Sequence, residues 1–196
     1  MLHIVYGGSA SGKSSYAESF AMSLQGEGRL LYIATMYPYK WNTTEIDPET
    51  MQRIERHRAM RADKGFDTVE CYRHVEHIVA KRQDVLLLEC MSNLLANEMY
   101  LEPDSNAGSD MAETMSLVSN KIVQALVNLS TRVQDVVIVT NDVFSDGGSL
   151  TYDESTREYV KNLAEINCAL ARVAETVTEV VCGIPVIVKK NHPMGK

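Results

Sequence analysis

The chain has no C-x-x-C pair: Cys71, Cys90, Cys168 and Cys182 stand far apart. That spacing excludes the usual zinc and thiol-redox motifs and favours reduced thiols. No run of about 18 apolar residues occurs, and the N-terminus lacks a basic region leading into an apolar stretch, so neither a membrane span nor a leader is expected. Positive charge is also short. A net charge of -7 and a pI near 5.2 argue against nucleic acid or an anionic membrane as the main partner. Prolines number only 5, and there is no internal repeat or low-complexity segment. With 196 residues at 45% hydrophobic content, residues 1–196 are expected to form one cytoplasmic domain with a sizeable core.

What is present is concentrated near the start. Residues 7–15 read GGSASGKSS after the apolar run Leu2-His3-Ile4-Val5-Tyr6. Gly7, Gly12, Lys13 and Ser14 fit G-x-x-x-x-G-K-[ST], in which backbone N–H groups curl around phosphate oxygens, Lys supplies charge and Ser a Mg2+ ligand. A strand over 2–6 and a helix over 14–24 put the loop where that chemistry requires it. The alternative is a glycine-rich turn that binds nothing.

Further apolar runs, Leu30 to Ala34, Val85 to Leu88, Val136 to Thr140, and Val180 to Cys182 with Pro185 to Val188, read as buried strands. Helix-like segments lie at about 48–62, 73–82, 91–100, 109–131 and 154–177. The alternation predicts an α/β fold, P-loop NTPase-like, with a mostly parallel sheet flanked by helices and a C-terminal strand pair turning at Gly183. Thr151 and Glu154 fit a capping box, 103–109 and 144–149 read as loops, and 191–196 as a polar tail.

Asp47-Pro48 is a helix start signal, and beyond it Arg53, His57 and Arg61 fall four apart, on one helical face. Two guanidinium groups would discourage imidazole protonation and leave a nucleophile for a nucleotide's α-phosphorus. Spacing alone fits a solvated basic face with an incidental histidine better. Glu89 ends an apolar strand, where many P-loop proteins bring a carboxylate to Mg2+, and Asn141-Asp142 ends another. Each also suits a turn or helix cap. His74 and His77 read as a polar helix face rather than a metal pair. Trp41, Tyr37 and Tyr39 suit either base stacking or packing within the domain.

In this order the motifs resemble the bifunctional adenosylcobinamide kinase and adenosylcobinamide-phosphate guanylyltransferase family of cobalamin assembly. The resemblance runs through GGSASGKS with Ala17-Glu18, Tyr32-Ile-Ala-Thr35, Asp47-x-Glu49 with Arg53-Ile54-x-x-His57-Arg58-x-x-Arg61, Thr68-x-Glu70, Leu87-Leu88-Glu89-Cys90, Val139-Thr140-Asn141 and Gly183 to Lys189. It implies phosphorylation of adenosylcobinamide by ATP or GTP, then GMP transfer from GTP through a phosphoramidate on His57, giving adenosylcobinamide-GDP and pyrophosphate. By the same match Gly7, Gly8, Ser9, Ala10, Ser11, Gly12, Lys13 and Ser14 hold the triphosphate, with Lys13 catalytic beside His57. Thr35, Met36, Tyr37, Arg58, Ala59, Met60, Arg61, Glu70 and Glu89 complete the nucleotide site, and Ser14 and Glu89 hold Mg2+. A homotrimer with sites near subunit contacts is implied too.

The chain departs from the family pattern after Asn141. It reads Asp142-Val143-Phe144-Ser145, keeps Arg157 and Tyr159, has Val160-Lys161 and Ala164 at changed positions, and ends on Asn167-Cys168; Phe66 replaces a tryptophan. These changes fall on the cobinamide side and on the kinase step, whereas the nucleotide and His57 elements stay intact. They leave open a P-loop transferase with another acceptor, or a non-catalytic nucleotide-binding protein.

Overall fold

The computed structural model describes residues 1–40, 43–101, 111–142 and 152–191. In chain order the elements are β1 (Leu2–Gly7), α1 (Lys13–Leu24), β2 (Leu30–Ala34), α2 (Pro48–Arg61), β3 (Phe66–Glu70), a 3-10 turn (Val75–His77), β4 (Val85–Glu89), α3 (Met91–Tyr100), α4 (Met111–Arg132), β5 (Asp135–Asn141), α5 (Glu154–Val173), β6 (Thr176–Val181) and β7 (Ile184–Lys190). The strands form one sheet in the order β3-β2-β4-β5-β1-β6-β7. All pairings are parallel except the closing β6-β7 hairpin. The fold is therefore the α/β, P-loop NTPase-like one expected.

Period-two alternation divides the buried strand residues between two layers. Leu86, Leu88, Val136 and Ile138 face α3, α4 and α5, where Leu94, Leu126 and Ile166 are fully buried. Val85, Leu87, Val137 and Val139 face α1 through Ala17 and Ala21. Because both faces are covered, these central strands are apolar throughout. Parallel register brings the carboxyl ends of β1, β2, β4 and β5 to one edge of the sheet, level with Gly7, Ala34, Glu89 and Asn141.

Three expectations need correction. The helix at 73–82 is only the single turn Val75–His77. His74 is left-handed at φ 56°, and its N–H goes to Glu98 while that of Lys81 goes to Asp84, so side chains rather than a helix satisfy this backbone. The helix at 154–177 ends at Val173, because the β-branched run from Thr176 enters the sheet as β6. Finally, β3 was not anticipated: its alternation in FDTVE carries charge and it lies on the edge of the sheet. Asp47 caps α2 as expected, accepting from the Thr50 N–H. Asp153 caps α5; Thr151 of the anticipated capping box, the loops at 103–109 and 144–149, Trp41 and residues 192–196 lie outside the described residues.

Gly7 ends β1, close against β6 and the P-loop. A Cβ there would stand 2.5 Å from the Val180 carbonyl oxygen and 2.7 Å from Ser11 Oγ. Gly7→Ala is expected to cost about 2–3 kcal/mol by overpacking. A melt followed by circular dichroism should show that as a fall of about 4–10 °C in Tm.

Candidate functional site

The loop between β1 and α1 is wound by two left-handed residues, Ala10 at φ 53° and Gly12 at φ 89°. Gly12 precedes α1 without any side-chain cap, so the first-turn N–H groups of a 12-residue helix are left for an anion. Lys13 is largely buried, and its ammonium donates to the Gly8 carbonyl at 3.0 Å, folding back across the loop. The turn between β6 and β7 braces the loop from behind, Gly183 N–H donating to the Ser11 carbonyl at 2.8 Å.

Across the sheet edge, Ser14 Oγ donates to Glu89 Oε1 at 2.7 Å. The other oxygen, Oε2, is shut off from solvent and has no hydrogen-bond partner among the described residues. Burial raises the Glu89 pKa to about 7 against the opposing pull of Ser14 and Lys13. A buried carboxylate oxygen without a partner, beside the Ser14 hydroxyl, offers hard-oxygen donors of the kind Mg2+ takes. The residues thus fit the ion. Thr35 fixes this strand end from β2, its hydroxyl donating to the carbonyls of Glu89 and Cys90 at 2.8 and 2.9 Å.

α2 brings His57 over the same edge. Arg61, one turn on, is buried; its guanidinium carbon lies 3.4 Å from the centre of the Tyr32 ring, and Nη1 donates to the His57 carbonyl at 2.9 Å. Desolvation and the positive charge of Arg61 hold the His57 pKa below the ordinary imidazole value. Arg58 donates to Glu70 Oε1 at 2.6 Å, and the Tyr72 hydroxyl donates to Glu70 Oε2 at 2.9 Å. Lys64, just past α2, pairs with buried Glu18 on α1, tying the histidine helix to the P-loop helix.

A cavity of about 430 Å³ gathers these groups. Ser9, Ala10, Lys13 and Ser14 form one wall and His57, Arg58 and Arg61 another, with Glu89 on the floor. Residues 3–188 match the family described as cobinamide kinase / cobinamide phosphate guanyltransferase. The chain belongs to that family. It is 30% identical over 198 residues to the bifunctional adenosylcobalamin biosynthesis protein CobU of Escherichia coli K12, covering 96% of this chain and 100% of the relative. The protein of the same name from Salmonella typhimurium LT2 is 29% identical over 196 residues, with the same coverage. Among solved structures, the flagellar accessory protein FlaH of Methanocaldococcus jannaschii matches 97% of this chain and 78% of its own, at 15% identity and a TM-score of 0.43. That likeness is too distant to bear on the reaction.

Within this member of the family the anticipated site residues separate. Met36 and Glu70 line the cavity with the groups above, as do Asn141 and Asp142. Thr35 is fully buried behind it, Tyr37 faces a neighbouring groove, and Ala59 and Met60 lie on the exposed side of α2. Gly7, Gly8, Ser11 and Gly12 contribute the backbone path of the loop rather than cavity wall. His74 and His77 stack on one another with Lys121 and Glu76 alongside, at the two ends of the single 3-10 turn rather than on the face of an α-helix.

Tyr32 and Thr68, named only within the family motifs and not as site residues, line the cavity, as do Tyr72, Ser92 and Asn93, which were not singled out. Ser92 accepts from the Asn141 side chain at 2.9 Å, and its carbonyl accepts from the Tyr159 hydroxyl at 3.1 Å. The signal for Ser92 and Asn93 was their place two and three residues after Cys90, just past a strand's carboxyl end. Tyr32 carried a weaker one, an aromatic residue within an otherwise aliphatic strand. Among the described residues, no helix is long and apolar enough to cross a membrane.

Proposed function

We propose that this chain carries out both reactions of its family. It phosphorylates adenosylcobinamide from ATP or GTP, then transfers GMP from GTP to the resulting phosphate through His57. The observation that carries the reading is one cavity holding the P-loop lysine, a carboxylate with an unused buried oxygen, and a histidine kept neutral by burial and by Arg61.

The chemistry follows from those groups. The first-turn N–H groups of α1 and Lys13 take the β- and γ-phosphates, which leaves the α-phosphate toward α2. The neutral His57 imidazole attacks the α-phosphorus; a P–N bond forms, the P–O bond to pyrophosphate breaks, and pyrophosphate carries away the charge. An oxygen of the cobinamide phosphate then attacks that phosphorus, the P–N bond breaks, and the imidazole is restored. Arg58 and Arg61 neutralise the oxygens of the phosphorus under attack. Mg2+ held by Ser14 and Glu89 would supply charge neutralisation at the phosphates. In the kinase half, the same loop presents a γ-phosphorus to the acceptor hydroxyl, with Asp142 on the cavity wall as the nearest acidic group past β5.

Of the departures after Asn141, Asp142 lines this cavity, and Val143 to Ser145 lie outside the described residues. Two matched positions beyond them serve as ties: Tyr159 holds Ser92, and the Asn167 side chain accepts from Thr140 at 2.8 Å, at the end of β5. The reading also takes the protein as a cytoplasmic homotrimer acting on a small corrinoid, without nucleic acid or membrane. The edge strand β7 supports an oligomer: Ile184, Ile187 and Val188 are each more than half exposed.

The test is purified protein incubated with adenosylcobinamide, ATP, GTP and Mg2+. Adenosylcobinamide-GDP and pyrophosphate are the expected products by chromatography. Turnover of some other alcohol, with none of this acceptor, would overturn the reading.

A further inference from the structure

We propose that the corrin ring of the acceptor sits in the broad groove beside the nucleotide cavity. The inference rests on the function proposed above and adds the place where the acceptor's body binds. The nucleotide cavity, about 430 Å³, is at the low end of the range that takes a single small ligand. A nucleotide fills it, and a corrin macrocycle edged with amide arms cannot share it. The neighbouring groove is about 1390 Å³ and open along one side. Two residues, Glu70 and Tyr72, line both spaces, so the groove continues directly from the site of chemistry.

The groove's walls suit a wide ring with apolar faces and a polar edge. Tyr37 and Tyr72 meet edge to face at 5.4 Å, and Ile78, Val79 and Leu101 add aliphatic surface. Val79 is 87% exposed, an apolar side chain left to water. Thr43, Thr44 and His77 offer hydrogen-bonding groups to peripheral amides.

The partition between the two spaces is a polar chain, Arg58 to Glu70 to Tyr72. Arg58 and Glu70 are each about half exposed, with side-chain exposures of 47% and 49%. An exposed pair of this kind is weakly held. An acceptor phosphate reaching from the groove can therefore displace Glu70 from Arg58 and arrive beside His57.

The experiment measures cobinamide binding by equilibrium dialysis, read by the corrinoid's own visible absorption, on wild type, Val79→Glu and Thr44→Trp. Both positions are exposed, so the variants are expected to fold. The expected result is a Kd and an acceptor KM raised about tenfold or more, with self-labelling of His57 by α-labelled GTP retained. Two variants that bind and use cobinamide as wild type does would overturn the groove assignment while leaving the proposed function standing. A wild-type protein that neither binds cobinamide nor makes product would remove both.

Discussion

Guanylyl transfer in a His57→Ala protein is expected to fall by about a thousandfold or more, and GTP labelled on its α-phosphate should leave no acid-labile, base-stable label on the chain. Phosphorylation of adenosylcobinamide should fall far less, because the kinase step uses the P-loop and not the imidazole. The pH dependence of wild-type labelling gives an independent reading of the same residue. The attacking species is neutral imidazole, and desolvation together with Arg61 places the His57 pKa below the usual 6.5. With Mg2+ held saturating at every pH, so that the Glu89 carboxyl does not limit the rate, labelling should thus stay nearly flat from pH 8 down to 7 and reach half its rate at a pH below 6.5. Arg61→Leu removes a positive neighbour, so the half-rate point should move up in pH whatever happens to the maximal rate. Label retained by His57→Ala, on another residue, would end the phosphoramidate mechanism.

The parts of this site that could be read in advance are those whose chemistry is local in the chain. The P-loop needs glycines, lysine and serine within eight residues, and strand and helix flank it at the required spacing. Arg53, His57 and Arg61 could be put on one face because a helix maps four-residue spacing onto a stripe. Glu89 was legible as a carboxylate ending an apolar strand. Tyr32 was not, because a strand alternates its faces and nothing local shows which face of β2 meets the arginine helix. Tyr72 escaped for a related reason: its partner Glu70 is two residues away, but the significance of the pair depends on Arg58 arriving from α2. Likewise the 73–82 stretch has helical composition, and the groups that prevent a helix, Glu98 and Asp84, come from elsewhere in the fold or from the turn that follows. Local pattern showed most of the elements, though not the charged edge strand β3. The contacts that override it are made by residues distant in the chain.

Glu89→Gln should separate function from stability most sharply, lowering both transfer reactions by about a hundredfold to a thousandfold while raising Tm. The carboxyl has a folded-state pKa of about 7 against an ordinary 4.5, because burial disfavours its charge. A raised pKa means the folded state binds the proton more tightly, so the stability linked to protonation is complete below pH 4.5 and is lost as pH rises through about 7. Glutamine, which does not ionise, escapes that loss and can still accept from the Ser14 hydroxyl. The variant should match wild type near pH 4.5 and exceed it by about 2–3 kcal/mol at pH 8, a gain of about 4–10 °C in a calorimetric melt. Mg2+ should reverse the order for wild type alone, since the ion needs the ionised carboxylate that the empty fold penalises. In wild type, Mg2+ affinity should accordingly weaken as pH drops below about 7, with one proton released for each ion bound. Full activity in Glu89→Gln would show that the carboxylate holds no metal. Lost activity without the gain at pH 8 would show that its oxygen is not desolvated, and the orphaned Oε2 would then lose its meaning as a cation's place.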